Sequence, residues 1–198
     1  IGVRLVGSEM CIRDSAYAEL SKFVQLPGPE HLKAAERVLQ FLRGNYEDGL
    51  TYSDPGPERR NRLLGWVDSD YASDPDTRKS VTGYVLSLNN APISWKAKRQ
   101  DCVTLSSAEA EYVAASMAGQ EVVYLHSILR GFGHEQLGPT AVWEDNAACI
   151  QISLNPVNRK FTRHIDVRRY YVRDLVTDGV MVLVKCAGTH NFAAALTK

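Results

Sequence analysis

The order of periodicities after residue 63 constrains this chain more than any other feature. Leu63 to Asp68 reads as a strand, and so do Val81 to Leu88 and Pro92 to Lys98. The last two are separated only by Asn89-Asn90, residue types that suit a tight hairpin turn. The period then changes. Ser106 to Arg130 is a long helical pattern ended by Gly131, and Thr140 to Glu144 is a short strand that runs at once into a helix over 146–154. His164 to Asp178 is helical, with Val167, Tyr170, Tyr171 and Leu175 on one side and Gly179 as its stop. Val180 to Cys186 is a strand, and Phe192 to Lys198 opens a last helix. Strands joined by short turns, followed by strands joined through helices, imply an α/β fold: a mixed sheet with helices on its faces.

Ahead of this pattern, residues 29–43 form an amphipathic helix, with Pro29 at its first position and Leu32, Ala35, Val38, Leu39 and Leu42 on one face. Gly44 and Asn45 stop it. Residues 53–61 (SDPGPERRN) have linker composition, which divides the chain into 16–61 and 62–198. Ser8 to Ser15 (SEMCIRDS) looks like a translated sequencing adapter, with an ordinary interdomain segment as the alternative, and residues 1–15 receive no functional weight. A first residue of Ile reads as a fragment or a piece of a polyprotein.

Charge is balanced, with 23 Lys plus Arg against 23 Asp plus Glu, so a uniformly basic surface is excluded. No apolar run approaches the roughly 18 residues of a membrane span. The four cysteines (Cys11, Cys102, Cys149 and Cys186) lie far apart with no C-x-x-C pair. That argues against zinc and for reduced thiols in an intracellular protein.

Three carboxylates fall at element junctions: Asp68 at the end of the first strand, Glu111 in the first turns of the long helix, and Asp145 at the end of the fourth strand. Strand ends and adjoining helix starts of an α/β sheet converge on one place. Carboxylates gathered there cannot all stay ionised without a cation. Hard oxygen ligands suit Mg²⁺, with Mn²⁺ as a substitute, and two such ions can clamp the attacking and leaving oxygens of a phosphodiester. Each acid taken alone also fits a helix cap or an exposed turn. Ser106-Ser107-Ala108-Glu109 is a capping box, which gives Glu109 a structural task and leaves Glu111 for the metal. Asp70 shares a strand face with Asp68 and is a second-rank candidate, whereas Asp74-Pro75-Asp76 reads as turn chemistry.

Basic residues gather in two runs. Residues 78–100 hold Arg78, Lys79, Lys96, Lys98 and Arg99 with no acid, interleaved by Tyr84 and Trp95. Residues 155–173 hold Arg159, Lys160, Arg163, Arg168, Arg169 and Arg173 against Asp166 alone. Such runs fit phosphate contacts and base stacking, or equally a solvated face. The acids run the other way: Asp68, Asp70, Asp74 and Asp76 lie within 66–77, which has no basic residue. The five histidines are scattered, and no catalytic triad or phosphate-binding glycine loop is legible.

Six runs in order carry a resemblance: GWVDSDYASDPDTRKSVTGYV (65–85), ISWKAKRQ (93–100), LSSAEAEYVA (105–114), WEDNAACI (143–150), RHIDVRRYYVRD (163–174) and ALTK (195–198). Together they resemble the ribonuclease H domain of copia-type retrotransposon polyproteins. AYAEL, EHLKAAERVLQFLRG and GLTYSD within residues 16–54 resemble the tail of the preceding reverse transcriptase. The resemblance implies a ribonuclease H-like fold, a five-stranded mixed sheet flanked by helices. It implies hydrolysis of the RNA strand of an RNA–DNA hybrid, dependent on two Mg²⁺ ions, in a cytoplasmic particle or the nucleus. The expected partners are the hybrid and the reverse transcriptase portion of the same polyprotein, with no membrane. Of the family's four active-site carboxylates, three match Asp68, Glu111 and Asp145. The fourth position is Ala194, whose methyl group cannot bind a metal, and His190 sits where relatives carry an auxiliary histidine. The departure at Ala194 keeps a second reading open, a catalytically impaired module that holds hybrid without cutting. An integrase would have its glutamate last in chain order, whereas Glu111 lies between Asp68 and Asp145.

Overall fold

The structure is a computed structural model that describes residues 8–47, 49–154 and 163–197. Helices α1 (Ser8–Ser21) and α2 (Pro29–Gly44) precede strands β1 (Leu64–Asp70), β2 (Val81–Leu88) and β3 (Ala91–Arg99). Then come α3 (Ser107–Gly131), β4 (Thr140–Glu144), α4 (Ala147–Leu154), α5 (Arg163–Thr177) and β5 (Met181–Lys185). A 3-10 turn (Gly188–His190) and a terminal 3-10 helix (Phe192–Leu196) follow. Every strand and helix read from periodicity is present. The last one is tightened to 3-10 geometry over five residues, with the Asn191 side chain accepting from the Ala193 N–H at its start.

The sheet order is β3-β2-β1-β4-β5. β1, β2 and β3 are antiparallel neighbours, whereas β4 lies parallel to β1 and β5 parallel to β4. The Asn89-Asn90 turn has φ of 51° and 65°, the left-handed pair that a two-residue hairpin needs. Alternation of side chains then divides two faces. Val67, Leu86 and Val142 point to one face, where Ala114, Ala118 and Val122 of α3 and Val172 of α5 close the main core. Val85 points to the other face and meets Leu196, with Trp66 and Trp95 packed alongside. Gly83 lets the terminal helix approach this closely: a Cβ there would lie 2.9 Å from the Ala193 carbonyl oxygen.

The N-terminal helices are different in kind. No residue of α2 is buried, and Leu39 on its apolar face is 65 % exposed. α1 packs against β3 and the terminal helix, and the Trp95 indole N–H donates to Asp14. The segment read as a linker is fastened to the sheet at its end: the Asn61 N–H donates to Asn89 Oδ1 and the Leu63 N–H to Gln136 Oε1, at 2.8 and 2.9 Å. Among the described residues no helix is long and apolar enough to cross a membrane. Cys102, Cys149 and Cys186 are free thiols.

Candidate metal and active site

Parallel pairing of β1 with β4 puts Asp68 beside Asp145, the residue that follows β4. Glu111 enters from the first turns of α3, which packs on β1 and β2. Ser106 starts that helix: its Oγ accepts the Glu109 N–H at 3.2 Å. Glu109 accepts in turn from the Leu105 N–H, one residue beyond the cap, and so stays out of the site. One carboxylate oxygen from each of Asp68, Glu111 and Asp145 lies within 4.8 Å of the other two.

Asp68 is 2 % exposed and accepts from the Thr197 hydroxyl. Asn191 pins the chain beside it, donating from Nδ2 to the Val67 carbonyl at 2.8 Å. Gly188 leaves the Asp145 carboxylate room: a Cβ there would stand 2.9 Å from Asp145 Oδ2 and push it aside. Lys185 Nζ donates to the Asp145 carbonyl.

The pocket is acidic, and among the described residues no ion pair includes Glu111 or Glu144. Burial, then the charges of Glu144, Asp68 and Asp145, push the Glu111 carboxyl up to about 10. Burial, opposed by the Asn146 N–H and reinforced by Asp145 and Asp68, pushes Glu144 up to about 8. Glu111 Oε2 and Glu144 Oε2 are both buried without a hydrogen-bond partner. Glu144 is the residue that the sequence reading missed. The signal was available: β4 buries alternate residues, so an inward Val142 makes Glu144 inward too.

No protein-family model matches the chain. The Pol polyprotein of transposon TNT 1-94 from Nicotiana tabacum is 38 % identical over 197 residues, which is 98 % of this chain and 14 % of that protein. The Pol polyprotein of transposon RE1 from Arabidopsis thaliana is 32 % identical over 189 residues, 93 % of this chain and 13 % of that protein. Over most of its length the chain is homologous to Pol polyproteins of copia-type transposons. It spans about a seventh of the length of these two polyproteins. The solved structure of LC11-RNase H1, isolated from compost, superposes with a TM-score of 0.52 at 14 % identity, covering 69 % of this chain and 92 % of that one. The fold is therefore ribonuclease H-like.

The other candidates in this chain are spread more widely. Ala194 lies half-buried on the terminal helix, and its carbonyl accepts from Thr197, the residue bonded to Asp68. Asp70 ends β1 outside the carboxylate cluster. His190 is exposed in the 3-10 turn. Arg78 and Lys96 are exposed and Lys79 is half-buried. Lys98 pairs with Asp101 at 3.3 Å, and Arg99 pairs with Asp74 at 2.7 Å. Tyr84 corrects an expectation: it is buried in the main core, with its phenol pushed up to about 12 chiefly by burial, so it cannot stack on a base. Trp95 is half-buried. The Arg163 side chain and residues 155–162, with Arg159 and Lys160, lie outside the described residues.

Proposed function

We propose that this domain hydrolyses the RNA strand of RNA–DNA hybrids, using divalent ions held by Asp68, Glu111 and Asp145. The observation that carries this reading is the convergence of three carboxylates within 4.8 Å. The donors fit the group: all are hard oxygens, and one Glu111 oxygen is buried with nothing bound to it. Mg²⁺ is the preferred ion and Mn²⁺ the substitute. Bound there, the ions would supply positive charge to the attacking and leaving oxygens of a phosphodiester displacement.

The chain's own residues do the positioning. Thr197 and Asn191 fix Asp68 against the terminal helix. Gly188 leaves room on the Asp145 side. Exposed Arg78 and Lys96 offer phosphate contacts, and hydrogen bonds to the 2′-hydroxyl would separate RNA from DNA. The partner is the hybrid, handed over by the reverse transcriptase portion of the same polyprotein, in a cytoplasmic particle or the nucleus.

Ala194 favours a second reading, in which the domain holds hybrid and does not cut it. Cleavage of a labelled hybrid with and without Mg²⁺, with binding measured in the same samples, separates the two. Asp145→Asn is expected to abolish cleavage and Ala194→Asp to raise it. Binding without cleavage supports the holding module. If neither substitution alters hydrolysis, the catalytic assignment is wrong.

A further inference from the structure

Strand β4 sends three side chains inward: Thr140, Val142 and Glu144. Thr140 is satisfied by a 2.7 Å contact with His126 Nε2. Val142 is apolar and belongs to the core. Glu144 is 0 % exposed, and one of its two oxygens has a use: Oε1 accepts the Asn146 N–H at 2.8 Å. Oε2 is buried with no partner, and no ion pair among the described residues includes Glu144. A neutral acceptor would serve Asn146 as well. A buried carboxylate with a spare oxygen is costly unless a positive charge compensates it.

Its surroundings say where that charge belongs. Glu144 immediately precedes Asp145, and it shares the inward face of β4 with Val142, which packs among residues of α3, the helix that carries Glu111. Its oxygens are not in the set that lies mutually within 4.8 Å. Glu144 is therefore buried next to the three carboxylates in chain and fold without being one of the set.

We infer that Glu144 is a positioning residue of the divalent-cation site: its negative charge, buried at the end of β4 next to Asp145, deepens the well that holds the cation. The inference rests on the proposed metal site and adds a fourth carboxylate to it. Such second-layer groups typically alter metal affinity by about 10- to 100-fold.

The test is Mn²⁺ binding followed by electron paramagnetic resonance on the full chain, alongside thermal melting in chelator. Glu144→Gln keeps the shape and an acceptor for Asn146 while removing the charge. It is expected to weaken Mn²⁺ binding by about tenfold or more, with metal-free melting unchanged or raised. Glu144→Asp, which keeps the charge, is expected to recover most of the affinity. A merely structural glutamate would move melting and leave Mn²⁺ binding alone. If Gln prevents folding, Glu144→Thr makes the same comparison, and failure of both neutral variants to fold overturns the inference. Parent-like Mn²⁺ affinity in Glu144→Gln also overturns it. Asp145→Asn separates the two levels: if it loses Mn²⁺ while Glu144→Gln does not, the metal site stands and Glu144 has no part in it. If Asp145→Asn binds as the parent does, the metal site itself falls.

Discussion

Two buried acidic regions of this domain are solved in opposite ways. In the loop after β1, Asp74 is 3 % exposed and fully employed. Its Oδ1 accepts the N–H groups of Asp76 and Thr77 at 3.1 and 3.0 Å, and its Oδ2 takes the Arg99 guanidinium at 2.7 Å. The Arg99 bond, then the Thr77 N–H, hold its carboxyl well below the usual range. At the strand ends, Glu111 and Glu144 are as deeply buried, yet each has an oxygen without a partner, and both are pushed up. A satisfied buried acid is architecture. An unsatisfied one costs stability and persists where something absent from the chain completes it.

The comparison breaks most visibly on substitution. Glu111→Gln should reduce metal-dependent cleavage by more than about a hundredfold, since even indirect partners of a metal cost 10- to 100-fold. The same change should raise the melting temperature in chelator, because it removes a carboxyl that burial and its acidic neighbours force to take up a proton on folding. Asp74→Asn should do the reverse, lowering the melting temperature near neutral pH and leaving the metal dependence of cleavage intact. Melting curves in chelator, paired with cleavage of a labelled hybrid, check both.

Acid titration sharpens the contrast through its sign. Asp74 has a folded value below its ordinary 3.8, so its contribution is present above that pH and fades as pH falls below it. The penalty of Asp74→Asn should therefore shrink in acid. Glu111 and Glu144 have folded values above their ordinary 4.5, so the folded state holds protons that the unfolded state has lost. Metal-free stability should fall as pH rises from about 5 toward 8. Mg²⁺ should flatten that fall, and Glu111→Gln should remove part of it. A metal-free melting temperature that climbs through this range would contradict the picture of two buried, unpaired glutamates.

The difference between the regions also marks what could be read from sequence. The strands and long helices were legible because alternation and helical spacing report burial directly. Asp68, Glu111 and Asp145 were legible because each falls at an element end, where this topology makes side chains converge. Asp74 was recognisable as turn chemistry from its Asp-Pro-Asp setting, but its partner Arg99, 25 residues away, was not. Arg99 reads in sequence as a free cation of a basic run. Glu144 was hidden for the converse reason: a charged residue at a strand end looks exposed unless its register with Val142 is applied. The terminal helix was legible as helix and not as 3-10, because its cap on Asn191 and its close approach to Gly83 are tertiary features that periodicity does not report.

The smallest expected effect tests whether that pairing changes how a basic residue works. Arg78 is exposed, with a backbone φ of 54°. Lys96 is also exposed, on the strand beside β2. Arg99 comes from the same run but is committed to Asp74. If free cations make the phosphate contacts, Arg78→Ala should weaken hybrid binding at low salt and reduce the slope of log affinity against log salt by about one. Arg99→Ala should lower the melting temperature instead, by stranding Asp74, and should change the salt slope little. Binding isotherms at several salt concentrations, with melting curves for each variant, decide between them. Equal salt slopes for the two variants would mean that Arg99 leaves Asp74 to reach the hybrid, and that the satisfied acid is less fixed than its bonds imply.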